Sequence, residues 1–405
     1  MNLGAGAVLT LGGGVTFTAT GNPTATQQIN GPGTLDLGAA TRTFTVGDST
    51  GDTIDMQIAA VVNGGAAIGL TKAGAGTLQL SGNNTFSGTA TVSAGTLILS
   101  GSNTASSYVI SGGTSSVLRI TNASQGTGPL NAATGATTPV FQLNIDGGGS
   151  NEVITLANPF ISNSGINPTI NVNNNGSSNV NNTIQITAAT AANTIGTGTI
   201  TVTGANGYTL QFLNGLTSTA GTVGTQTLNP TTANLLVGGF ATTHTTGTDI
   251  WALDGTSTGN VITGAIVQGT GTNLFQINKT NTSTWTLAGT SNHTGATNIQ
   301  NGSLVLAGGT NRMSTTGAGA FIVTLGSGTT SGRLVFGNSS GAGPPNAEPV
   351  GRGRRARHLR HRHGQCHRRR RRQRRPRREQ LHPHAQHRRR LHKHLRRPHR
   401  RPRPV

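Results

Sequence analysis

Residues 70–101 read LTKAGAGTLQLSGNNTFSGTATVSAGTLILSG. The stretch holds one charge, no acid, and a Gly at almost every place where the chain could turn. Thr77-Leu78-Gln79-Leu80 alternates, which puts Leu78 and Leu80 on one face of a strand. Ser81-Gly82-Asn83-Asn84 then supplies a turn, because Gly and Asn accept positive φ at low cost. Thr89-Ala90-Thr91-Val92 forms a second short strand, Ala94-Gly95 a second turn, and Thr96-Leu97-Ile98-Leu99 a third strand. Strands this short, joined by tiny turns, cannot bury a face alone. They can if each turn of chain stacks on the next, with aliphatic ladders inside and Thr and Asn outside.

The pattern recurs at an offset of 207. Residues 279–306, KTNTSTWTLAGTSNHTGATNIQNGSLVL, align without a gap on residues 72–99. Only 8 of the 28 positions are identical, but they include Lys72/Lys279, Leu80/Leu287, Gly82/Gly289, Gly88/Gly295, Gly95/Gly302 and Leu99/Leu306. Weaker turn-then-strand copies stand at 29–37, 198–202 and 332–337. The composition agrees: charged residues are 10% and aromatics 3%, with 61 Gly, and helix formers are scarce. The expected fold is all-β, a right-handed parallel β-helix (solenoid), followed by a disordered basic C-terminal tail. Residues 1–350 form the solenoid, with strong repeats at 70–101 and 277–308; residues 351–405 form the tail. With about 20–25 residues per coil the body holds roughly 15 coils, a rod on the order of 70 Å long at the spacing of neighbouring strands.

The first copy, from Leu70-Thr71-Lys72 through Gly76-Thr77-Leu78 to Thr85-Phe86-Ser87-Gly88, resembles the autotransporter-associated β-strand repeat, with Phe86 where that family has Tyr. The second copy departs further: Ser283 replaces Gly, Trp285 replaces Leu, and His293 takes the aromatic position. The resemblance implies a passenger segment exported by a Gram-negative bacterium and placed outside the cell or at its surface, associated with the outer membrane. It also implies a signal peptide and an outer-membrane translocator in the full-length protein. MNLGAGAVLTLGGG does not read as a signal peptide, and residues 350–405 do not read as a barrel, so an internal fragment or a broken gene product is expected.

The net charge of +20 belongs to two unlike parts. From Arg352 on there are 23 Arg, Lys393 and a single acid, Glu379; residues 1–350 carry six cations against nine acids. Such a tail invites a phosphate-binding reading, but it lacks aromatic stacking platforms, and nucleic acid is a poor fit. A solvated arm is a second reading. A third uses the genetic code: 46 of the 54 tail residues are types with codons beginning in C, as a frame displaced by one base yields. His361, His363, His382 and His384 have no fixed frame in which to hold a metal. The one cysteine, Cys366, lies in the tail, so disulfides do not staple the body.

Candidate chemistry is sparse. The cluster Asp48, Asp52 and Asp55 offers oxygen ligands but matches no calcium loop, and reads as a solvated turn, as does Asp146-Gly147-Gly148-Gly149. His244 stands near Asp249 and Asp254 without a nucleophile motif, and reads as a loop histidine. His293, Trp251 and Trp285 read as packing residues. No residue is assigned a catalytic, metal or cofactor role, and no cofactor is expected. The leading expectation is a non-enzymatic structural passenger, with extracellular matrix or surface glycans as candidate partners. The alternative is a carbohydrate-active β-helix, a lyase or hydrolase, with its site within 105–250. Three carboxylates converging on one groove would favour that alternative.

Overall fold

A computed structural model of the chain describes residues 1–19, 26–113, 116–188, 192–219, 223–313 and 322–337. The basic tail, with its candidate readings and Cys366, lies outside them. Among the described residues there are 35 strands of two to seven residues and no helix. They line up as parallel sheets of 13, 11, eight and three strands. Each strand pairs with strands one coil before and one coil after it, so the chain is a β-solenoid.

The inward ladders follow from the alternation. In the thirteen-stranded sheet Leu78, Leu97, Leu118, Phe141, Ile170 and Val202 stack in register, as do Leu80, Leu99, Ile120, Leu143 and Val172. All are buried. Burying one such side chain contributes about 1.5–3 kcal/mol, but a single coil exposes both flanks of its row, so the gain appears only on stacking. Leu287 is also buried, and Leu306 packs against the core from a half-buried position.

Polar ladders run beside them. Asn84 Nδ2 donates to Asn103 Oδ1 (2.8 Å) and Asn103 Nδ2 to Gln125 Oε1 (2.9 Å), all buried at one corner. On the outer face Gln57 donates to Gln79, and Gln79 to Ser100. These axial bonds let a body with few charges satisfy side-chain amides from coil to coil.

One expectation needs correction. The coils number about twelve turns along the thirteen-stranded sheet, not fifteen. The estimate took about 20–25 residues per coil for the whole body, which suits the narrow coils of the repeat, 19 residues from Leu78 to Leu97. Between 140 and 260 a coil carries three strands and lengthens to as much as 32 residues, as from Ile170 to Val202. The third side is also not the same sheet throughout. The three-stranded sheet ends at Val61–Asn63, and the eight-stranded sheet begins at Val153–Leu156. Both follow the thirteen-stranded sheet and precede the eleven-stranded one along the chain, so among the described residues the same side is stranded, then strandless, then stranded again.

Candidate functional site

The repeat copies occupy different sides of the solenoid. In the first, Leu70–Ala73 and Thr89–Val92 pair in the eleven-stranded sheet, while Thr77–Leu80 and Thr96–Leu99 pair in the thirteen-stranded sheet. In the second, Leu274–Lys279 and Thr297–Ile299 pair in the thirteen-stranded sheet, while Thr284–Leu287 and Gly302–Leu306 pair in the eight-stranded one. Each copy therefore spans two coils of two strands.

At the corner after its first strand each copy buries a lysine. Lys72 and Lys279 are fully buried. Lys72 Nζ donates to the carbonyls of Ala73 (2.9 Å) and Gly74 (2.8 Å) in its own coil and of Ala94 (3.1 Å) in the next. Lys279 Nζ makes the equivalent set, to Thr280, to Asn281 (2.8 Å) and to Asn301 (3.3 Å) in the next coil. The corner needs a left-handed residue to aim these carbonyls inward, supplied by Gly74 (φ 78°) and Asn281 (φ 53°). Burial pushes both ammonium groups from 10.5 down to about 8, opposed by the charge of Asp55 near Lys72 and of Asp254 near Lys279. Arg42 does similar work without a repeat: Nε donates to Leu37 O, Nη2 to Leu11 O and Nη1 to Gly12 O across two coils.

The aromatic position of the repeat closes the side that has no strand. Phe86 is fully buried there, and His293 takes the matching place, 3% exposed and 6.3 Å from the Phe275 ring. His293 Nδ1 meets Ser291 Oγ (2.5 Å) and Nε2 meets Thr297 Oγ1 (2.9 Å), and burial lowers its pKa to about 4. The same loop covers the last strand of a sheet that stops. Thr85 N donates to Val62 O, in the final strand of the three-stranded sheet. Asn292 N, at the matching position, donates to Ile266 O, in the final strand of the eleven-stranded sheet. Asn84 Oδ1 accepts from Val62 N, and its counterpart Ser291 bridges to Ile266. Both copies thus stand where a third side runs out, and both satisfy the exposed strand edge left behind.

His244, expected as a loop histidine, is 7% exposed and bonds through Nδ1 to Asp249 Oδ2 at 2.8 Å. It follows strand Phe240–Thr242, whose inward Thr242 donates to the same Asp249 oxygen at 2.5 Å. This is not a hydrolytic triad. Thr242 and Asp249 both meet Nδ1, while Nε2, where a nucleophile would sit, finds no partner inside the core. Asp254 is apart from the pair and accepts from Thr280 Oγ1 instead. Trp251 stacks on Phe240 (4.1 Å between centroids), and Trp285 donates to Asp254 O, so both tryptophans pack inside as expected.

Among the other acids, Asp55, Asp146 and Glu152 brace turns. Asp48 is exposed, but Asp55 is buried, which corrects the solvated-turn reading. Its Oδ1 accepts from Ser49 N and Oγ, and its Oδ2 from Thr77 N in the next coil. Asp146 Oδ1 accepts from Asn175 N and Ser177 N, bonds that together hold its pKa low against partial burial. Glu152 Oε2 accepts from Gly148 N. Among the described residues no three carboxylates, histidines or cysteines gather closely enough to hold a metal. The buried lysines were missed from sequence, although the recurrence of a cation at 72 and 279 in a body with so few was the available signal.

Comparison with known proteins agrees with this division. Residues 70–99 and 277–306 match the passenger-associated-transport-repeat family, so the chain carries two of the repeats found in autotransporter passengers. No curated protein and no solved structure matches the chain.

Proposed function

We propose that the chain is a structural passenger segment: a shaft displayed outside a Gram-negative cell, which spaces or presents what is attached to it and performs no catalysis of its own. The observation that carries this is the use made of the charged side chains. Lys72, Lys279, Arg42, Asp55 and Asp146 are spent on backbone groups of adjoining turns and coils, where they hold the stack together. The repeat match and the solenoid fit an autotransporter passenger. An outer-membrane translocator in the full-length protein and adhesive contact with matrix or surface glycans belong to this reading.

The test fuses the chain between a signal peptide and an autotransporter barrel in a Cys366→Ser background, with Thr225→Cys as reporter on an exposed strand position. Labelling of intact cells by a membrane-impermeant maleimide is expected. Retention of the label site inside the cell, or turnover of any polysaccharide by the purified chain, sinks the reading.

A further inference from the structure

Most cations of the body are spent on carbonyls. Arg333 is not. It lies on strand Gly332–Phe336 and is exposed. Among the described residues its Nε donates to Ser303 Oγ (3.2 Å), and its two terminal nitrogens make no bond. They border a cleft of about 530 Å³ lined by Thr282, Asn301, Gly302, Ser303, Ser331 and Arg333. The cleft spans three successive coils at the corner between the thirteen- and eight-stranded sheets. It lies where the turns at 280–283 and 300–301 meet the end of the longer turn at 326–331, which is closed by its own Ser327–Thr330 bridge and contributes Ser331.

A second cation lies close to the floor. A β-carbon on Gly302 would meet the carbonyl oxygens of Ser283 (2.5 Å) and Asn281 (2.6 Å) and then Lys279 Nζ (2.9 Å), so the carbonyl-bound ammonium sits just behind the glycine. The nearest carboxylate acting on that ammonium, Asp254, offsets part of its charge but does not line the cleft. No acid lines it. One guanidinium edge, a buried positive charge, three hydroxyls and an amide converge on a space of the size that takes a small ligand.

The geometry points to a binding site for a carboxylate-bearing sugar, a uronic acid residue of an acidic polysaccharide. The free Arg333 edge pairs with the carboxylate in the planar two-bond arrangement that a guanidinium favours. Thr282, Ser331 and the side-chain amide nitrogen of Asn301 are left for the sugar hydroxyls, while Ser303 Oγ holds the guanidinium through Nε. A peptide carboxylate would use the same arginine, so an acidic tripeptide is an arm of the test. This deepens the reading as a displayed shaft with glycan partners, since it requires that this side of the shaft be open.

The test is hydrogen exchange on the purified full chain at physiological salt with galacturonate trisaccharide as probe. A local readout is needed because the Arg-rich tail attracts any polyanion. Protection is expected at the amides of 300–304 and 331–335. Arg333→Met should weaken it at least tenfold, the scale of a lost charge-assisted pair. Protection confined to the tail, unchanged protection in Arg333→Met, or equal protection by neutral maltotriose overturns the site. Equal protection by an acidic tripeptide overturns the sugar assignment. Failure of these outcomes leaves the maleimide labelling result standing, so the site and the display reading fail separately.

Discussion

Replacing Lys72 with Met keeps the stem packed and removes the ammonium, which isolates the corner clamp. Three carbonyls, of Ala73, Gly74 and Ala94, lose their donor. Hydrogen bonds to a charged group contribute about 1.5–3 kcal/mol each, or roughly 5–9 kcal/mol gross. Against this stands the cost of burying the charge. The fall from 10.5 to about 8 corresponds to at most ~3 kcal/mol. The net loss on Lys72→Met is therefore about 2–6 kcal/mol, concentrated in the coils on either side. The pH dependence carries a sign that a surface lysine would not show. The folded value lies below the unfolded one, so between pH 8 and 10.5 the unfolded chain holds the extra proton and stability rises with pH. Tyr108, whose pKa is raised by burial, acts oppositely once pH passes its ordinary value of 10, so the useful window ends there. Urea unfolding of the full chain at pH 7.5, 8.5 and 9.5, with hydrogen exchange read at 73–80 and 94–99, measures both effects. Lys279 shares the behaviour, so Lys72→Met should keep about half of the rise. A variant as stable as the parent within ~0.5 kcal/mol, or a parent whose stability falls between pH 8 and 9.5, refutes the clamp.

Gly238, Gly264 and Gly289 stack so that a β-carbon on Gly264 would strike the carbonyl of Gly238 one coil below; Gly264→Ala should lower the melting temperature clearly, whereas Gly113→Ala, in open space, should not. Phe86→Ala should cost about 3–5 kcal/mol in urea unfolding, since it empties the side of the coil that has no strand. His293 has a folded pKa near 4 against 6.5 unfolded, so its contribution is complete above pH 6.5 and lost as pH falls toward 4; His293→Phe should flatten that acid-side loss in a pH series of thermal melts. The coding DNA from codon 351, read one base out of frame, should give a Gly/Thr-rich strand pattern, and a patternless or stop-rich frame would return the tail to its basic-arm reading.

Alternation and turn chemistry made the stacking legible, because a strand's period of two leaves only one way to bury Leu78, Leu80, Leu97 and Leu99 together. The coil count was not legible, since a coil's length depends on how many sides it has, and the repeat is taken from its narrowest part. Lys72 defeated the simple rule that a strand charge faces water: its position is an inward one, and only the path of its stem to the corner carbonyls reveals why. The His244–Asp249 pair was visible as proximity in sequence, but burial and the shared Nδ1 decide its chemistry, and neither can be read from spacing.

The placement of the two repeats carries a consequence for how such a shaft can vary. A solenoid that dropped a sheet side without provision would leave a bare strand edge part-way along its length, open to pairing with another chain. Val62 and Ile266 lie in the last strands of such sides, and each receives the same backbone bond from the same repeat position, Thr85 or Asn292. The lysine then ties the two narrow coils together where a third strand no longer helps. Because the first copy acts on one flank of the thirteen-stranded sheet and the second on a different pair of sheets, the device belongs to a corner and not to a face. A shaft equipped with it can change cross-section along its length while the strand edges left at Val62 and Ile266 stay covered.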